Sequence, residues 1–351
     1  MRFTTCLALF LIVLGCGTAD RAPSDVGALA PEDLGTGFVP DGGDPLDAAD
    51  AAPDELSLPD VAAAPDDGEP ASDGGADVVP PDLGQPDPPE TVTGPPGDED
   101  GDGVPNQVDL FPKDPKKPGT VLPGKVYMHT ASALFILDVK TYKINKIGDF
   151  GWPNDGVFTH EMTDIAVDRY GVIYGVAFTG LYVCDPNDAS CTSIGTSSAS
   201  FNALTWIPAG ILDPVLDVLV GVAGSSWYRL NKSGSVFTPV YLGDYGGGYS
   251  SSGDVFSIAG VGTFATVNKL FAWDDFVVEV DPKTGKVLKE VGQLPGYTSM
   301  FGVAGWNDRV FAFDETGKIL VLDIDDGKVL KEIVDTNEAW WGAGVPTVIP
   351  P

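Results

Sequence analysis

The stretch Asp164-Ile-Ala-Val-Asp168-Arg-Tyr-Gly171-Val-Ile-Tyr174-Gly-Val-Ala177 reads as two short strands around a tight turn. β-Branched and aromatic residues fill both halves, and Asp168 and Gly171 bring turn chemistry between them. Related pairs of runs follow at 201–207 with 216–223, at 255–259 with 269–273, and at 301–304 with 309–313. A second set of hairpins lies between them. It comprises Leu134-Phe-Ile-Leu-Asp138 before 142–147, Leu181-Tyr-Val-Cys-Asp185 before 191–194, Trp227-Tyr-Arg-Leu-Asn231 before 236–237, Val277-Val-Glu-Val-Asp281 before 286–291, and Ile319-Leu-Val-Leu-Asp323 before 328–333. These hairpins recur about every 42 to 50 residues, and no long stretch carries a helical period.

Two alternating hairpins make a four-stranded unit, and a four-stranded unit of this period is a propeller blade. Small residues such as Ala166 suit an innermost strand beside a crowded central channel. The region opens with three strands, at 126–129, 134–138 and 142–147, and finishes with one near 341–345. Together those four complete a blade, which closes the ring without a free strand edge. The expected fold is therefore all-β, a five-bladed β-propeller over residues 120–351. Its repeat Asp-Ile-Ala-Val-Asp-x-x-Gly-x-Ile-Tyr resembles that of YVTN/quinoprotein-like propellers over about 225 residues. The resemblance implies architecture and says little of chemistry.

Just upstream runs Asp98-Glu-Asp100-Gly-Asp102-Gly103-Val104-Pro-Asn106-Gln-Val-Asp109-Leu-Phe-Pro112-Lys-Asp114-Pro115. Carboxylates at loop positions 1, 3, 5 and 12, Gly at 6 and a carbonyl at 7 match the oxygen cage of an EF-hand-like loop. Asp98, Asp100, Asp102, the Val104 carbonyl and Asp109 are the candidate calcium ligands. The same phrase resembles a thrombospondin type 3 calcium repeat, here in a single copy spanning 98–118. Asp109 stands where an EF-hand has a bidentate Glu, which implies modest affinity. The expected role is to stiffen a joint, not to catalyse.

Before this loop the composition changes. Residues 17–100 hold 22 Asp and Glu, 15 Pro, one aromatic (Phe38) and one basic residue (Arg21). Such a segment cannot bury enough apolar surface to offset the cost of ordering its backbone, so residues 16–97 are expected to be a disordered, extended acidic tether. At the amino terminus one Arg precedes an apolar run of about ten residues ending at Val13-Leu14-Gly15-Cys16. That run is too short to span a bilayer and fits a signal-peptide core. The four residues resemble the lipobox of bacterial lipoproteins. The resemblance implies cleavage after residue 15, acylation of Cys16, and lipid anchoring at the outer membrane or cell surface.

The net charge of −31 excludes nucleic acid, which needs a basic surface. With only His129 and His160, no multi-His metal centre can form. Cys184 and Cys191 flank a hairpin turn, and an oxidising compartment favours a disulfide between them. Propeller ligands meet the loops that lead into the innermost strands. Here those loops carry Trp152, Asp155, His160, Tyr245, Tyr249, Tyr297, Trp340 and Trp341. These residues either contact a glycan or protein ligand or plug the gaps between blades. A monomeric recognition head is expected. The alternative is a carbohydrate-active hydrolase using Asp164, Asp254, Glu161 and Glu338 near the channel.

Overall fold

A computed structural model describes residues 97–156, 160–333 and 336–349. The signal segment, Cys16 and the acidic stretch through residue 96 lie outside the described residues. Twenty strands and no α-helix occur among them. In chain order they are β1 (Lys125–His129), β2 (Ala133–Asp138), β3 (Ile144–Asp149), β4 (Asp164–Val167), β5 (Ile173–Ala177), β6 (Gly180–Cys184) and β7 (Cys191–Ser197). Next come β8 (Ala203–Ile207), β9 (Val218–Ala223), β10 (Ser226–Ser233), β11 (Val236–Asp244), β12 (Tyr249–Ile258) and β13 (Gly262–Lys269). The last are β14 (Phe276–Val280), β15 (Val287–Gln293), β16 (Met300–Trp306), β17 (Arg309–Asp314), β18 (Ile319–Asp323), β19 (Val329–Ile333) and β20 (Gly342–Gly344).

They form five antiparallel blades: β20-β1-β2-β3, β4 to β7, β8 to β11, β12 to β15 and β16 to β19. The innermost strands touch in a ring, β20 against β4, then β8, β12, β16 and back to β20. The fold is an all-β five-bladed propeller. Its closure is the expected one, because β20 from the chain's end pairs with β1 through Met128↔Ala343 and its neighbours.

One device repeats around the ring. In four blades the pairing of the third and fourth strands skips one residue, just beyond a glycine: Gly148, Gly195, Gly243 and Gly292. Such a bulge raises local twist. The glycine is required because the fourth strand grazes the next blade there. A Cβ on Gly195 would lie 2.1 Å from the Ser235 carbonyl, and one on Gly243 2.1 Å from that of Thr284. The fifth blade has Ile333 at the corresponding pairing and skips a residue further along, beyond Lys331, whose amine sits 4.4 Å above the Tyr142 ring of the first blade. The core accordingly lies between blades. Apolar clusters join the first and second, the second and third, and the third and fourth, and the largest spans the fourth, fifth and first.

One strand differs from its sequence reading. The run 269–273 was expected to be the second strand of the fourth blade. That strand is instead β13, and residues 270–273 form the loop after it. Thr263 to Val267 are all buried, a run covered on both faces, whereas Lys-Leu-Phe-Ala-Trp merely has strand-like composition.

Cys184 and Cys191 face one another across the β6–β7 hairpin and are joined by a disulfide. It closes a short loop with a sequence separation of 7. Cys191→Ser should therefore cost only about 2 kcal/mol by chain entropy. Urea melts under oxidising and reducing conditions should show that difference in the wild type and none in the variant.

Candidate metal centre and ligand-facing surfaces

The loop at 97–109 is wound by its own carboxylates. Asp98 accepts from the Gly101 and Gly103 amides at 2.7 and 2.9 Å, and Asp102 accepts from Val104 N at 2.7 Å. Gly101 and Gly103 adopt φ of 78° and 97°, which lets the chain turn sharply twice. One oxygen each of Asp98, Asp100 and Asp102 lies within 4.8 Å of the other two. Asp109 is 8 % exposed, and its Oδ1 accepts from Phe111 N. The Oδ2 atoms of Asp100, Asp102 and Asp109 are buried and have no hydrogen-bond partner.

Burial, then the charges of their neighbours, pushes the Asp102 and Asp109 carboxyls above the usual carboxylate range. Buried carboxylate oxygens without a partner are costly unless a cation neutralises them. Asp109 lies outside the close Asp98, Asp100 and Asp102 group, within electrostatic reach of it. An oxygen-only donor set of this kind suits a hard divalent cation. Val104, beside the cluster, is fully buried in the core between the second and third blades, so the loop is seated on the propeller.

The top face, where innermost strands begin, carries the aromatic candidates. Tyr245 and Trp340 are buried at 1 % and 0 % exposure and do not face a ligand. Tyr245 packs edge-on to Trp227, and Trp340 edge-on to Phe135 and Phe313, so both fill the wedge between blades. The others remain at the surface. Trp152 stacks on His160 at 4.7 Å, and Asp155 receives His160 Nε2 and the Tyr182 hydroxyl. Tyr249 donates to Glu290 beneath the Lys269 amine, and Tyr297 donates to Glu332 beneath Lys318. Trp341 is partly exposed.

Sequence reasoning missed the most exposed aromatics of this face. Phe271 and Trp273 are 95 % and 90 % exposed, and Leu270 beside them is 66 % exposed. Phe271 holds a left-handed φ of 68°. The loop is braced by Leu270 N donating to the Gly248 carbonyl and by Asp274, which accepts from Gln293 and Gly296 N.

At the axis, His129, Asp164 and Asp254 are wholly buried. Asp164 accepts from Leu204 N of the third blade; Asp254 accepts from Val303 N of the fifth and Ala343 N of the first. The two carboxyls also hydrogen-bond each other. Burial raises both, and the Asp254 charge raises Asp164 further. His129 donates Nδ1–H to the Thr130 carbonyl, leaving Nε2 3.8 Å from Asp164. Burial lowers its pKa to about 4. Of the four hydrolase candidates only these two Asp meet. Glu161 and Glu338 are partly exposed loop residues.

No family model matches the chain, and no curated protein matches it. Among solved structures, a Bacteroides caccae protein of unknown function is similar at TM-score 0.35 and 13 % identity, over 62 % of this chain and 74 % of that one. A Dos1 propeller is similar at TM-score 0.33 and 15 % identity, over 58 % of this chain and 55 % of that one. A symmetrical protein described under de novo evolutionary emergence gives 0.37 and 15 %, over 62 % and 92 %. At such scores the likeness adds nothing to the strand pairing, which carries the fold.

Proposed function

We propose that this chain is an exported lipoprotein, acylated on Cys16, that presents its propeller on the acidic tether through a calcium-loaded joint. The propeller serves as a recognition module for a protein or glycan of the cell envelope. The observation that carries recognition is the braced 270–273 loop. Two aromatic side chains held almost fully in water form a rigid contact that loses little entropy on binding. Burying them in a partner would contribute several kcal/mol, on the order of 25 cal/mol per Å² of apolar area. The orphaned carboxylate oxygens support the calcium joint.

The hydrolase alternative is the weaker reading. Its two carboxyls are hydrogen-bonded to each other and to backbone, with no exposed surface for substrate. Glycosidase carboxylates stand about 5–10 Å apart with a sugar between them.

A glycan array and an envelope-protein overlay with the calcium-loaded chain test recognition. Phe271→Ser with Trp273→Ser should abolish the signal and leave the melting temperature unchanged, because neither ring packs on the core. A signal that survives the double variant would sink the assignment of this loop. Metabolic labelling with a palmitate analogue tests the anchor: the wild type should label and Cys16→Ser should not.

A further inference from the structure

A cavity of about 580 Å³ lies on the opposite face, between the joint and the second and third blades. A neighbouring cavity of about 150 Å³ shares its Trp206, Leu216 and Asp217 walls. The larger volume is within the range of small-ligand sites. Its floor is apolar and aromatic: Tyr174, Leu219, Leu230 and Phe237, with Trp206 edge-on to Tyr174 at 4.9 Å. Two buried donors have no partner: Trp206 Nε1, on the wall that the two cavities share, and Arg169 Nε, in the smaller one. Buried N–H groups are rarely left so, and here they call for acceptor oxygens from an occupant.

The walls carry Arg169, Arg229 and Lys232 against Asp109, Asp168, Asp213 and Asp217, so their charges nearly cancel. Arg169 pairs with Asp217 at 2.8 Å. Arg229, whose Nε donates to Asn231, lies within electrostatic reach of Asp213. A balanced wall does not favour an ionic occupant. Aromatic rings beside amide, guanidinium and carboxylate groups match a ligand with apolar C–H faces and a fringe of hydroxyls. We infer that this cleft binds a neutral saccharide of one or two units, held on the Trp206–Tyr174 wall and accepting hydrogen bonds from Trp206 and Arg169.

The cleft has a second property, which rests on the calcium reading of the joint. One wall is Gln107, Val108, Asp109 and Leu110, the end of the calcium loop itself. Fixing Asp109 on a cation fixes that wall. Saccharide and calcium therefore raise each other's affinity by the same factor, as linkage requires. The 270–273 loop lies on the opposite face and takes no part.

The experiment uses the full-length, calcium-saturated chain and a panel of neutral hexoses, N-acetylhexosamines and their disaccharides. Binding is read by saturation-transfer NMR and then calorimetry. At least one sugar should bind, and Trp206→Phe, which keeps a ring and removes the N–H, should weaken it about tenfold or more. Trp273→Ser should leave that affinity unchanged. Wild type that binds none of the panel, or Trp206→Phe that binds as well as wild type, overturns the cleft. Loss of sugar binding on Trp273→Ser also overturns it, while leaving recognition by the top face standing. A separate terbium titration reports whether the joint is loaded. A loaded joint whose calcium affinity does not change with sugar overturns the coupling.

Discussion

Asp254→Ala is expected to unfold the propeller at 37 °C or bring it to the edge of unfolding. The Asp254 carboxyl accepts from three buried amides, those of Val255, Val303 and Ala343. Each stranded N–H costs about 1–3 kcal/mol, so the sum is comparable with the roughly 5–15 kcal/mol that holds an ordinary domain together. Position matters as much as number. Through Asp164, Asp254 and their amide donors, the network reaches the innermost strand of every blade: Ala343, Asp164, Leu204, Asp254 and Val303. Losing it opens the ring at its axis. Asp254→Asn should be milder, since its amide oxygen still accepts from Val303 and Ala343 N and its NH₂ can donate to Asp164, at the loss of the bond from Val255 N.

The same pair sets a pH dependence. Two carboxyls in contact cannot both ionise cheaply, and burial raises both above the unfolded value of about 3.9. For groups raised on folding, the stabilisation is complete below the unfolded pKa and is lost as pH rises through the folded ones. Asp168, pushed up to about 7 by burial, acts in the same direction. His129 acts in the opposite one: its pKa is lowered to about 4, so its share is present above about 6.5 and lost between about 6.5 and 4. Urea midpoints from pH 4 to 9 should fall on the alkaline side in wild type and flatten in Asp254→Asn. An unchanged alkaline slope would remove the pair from the explanation.

The strand repeat and its closure were legible in the sequence because they depend on alternation and turn residues, which are local. Ring closure followed from counting three strands at the start and one at the end. The axial clasp was legible only in part. The sequence placed Asp164 and Asp254 near the channel, beside Glu161 and Glu338, but their bonds to each other and to amides of neighbouring blades arise only when the ring closes. The bulge glycines were hidden for a related reason, since their cost arises from the next blade. The 270–273 loop was misread because an apolar run looks the same whether it packs or protrudes, while the true strand, Thr-Phe-Ala-Thr-Val, is buried on both faces and carries two polar Thr that mask it. Tyr245 and Trp340 sit at loop positions that favour ligands. They are buried because each blade wedge needs a large ring, a demand set by volume and not by sequence position.

Calcium is expected to stabilise the joint by about 2.7 kcal/mol at a free concentration one hundred times its dissociation constant. A single loop with Asp109 at its last position belongs with weak extracellular modules, whose dissociation constants run from about 10⁻⁴ to 10⁻³ M. Without the cation, buried oxygens of Asp100, Asp102 and Asp109 have no hydrogen-bond partner, and burial with the neighbouring charges raises the Asp102 and Asp109 carboxyls. Binding should therefore release protons and weaken as pH falls. The effect extends beyond the loop, because Val104 is buried among the Tyr174, Leu204 and Leu219 side chains. A joint that lets go uncovers that apolar seam as well. Limited proteolysis should cut near residues 97–120 in chelator and spare them in millimolar calcium, with a matching shift in the thermal midpoint. Asp100→Ala with Asp102→Ala should erase the calcium protection and the terbium signal together. In chelator its midpoint should stay close to that of wild type, because the loss of repelling charges offsets the loss of the Asp102 bond to Val104 N and the Asp100 bond to Asp102 N. A double variant still protected by calcium would show that the ion sits elsewhere.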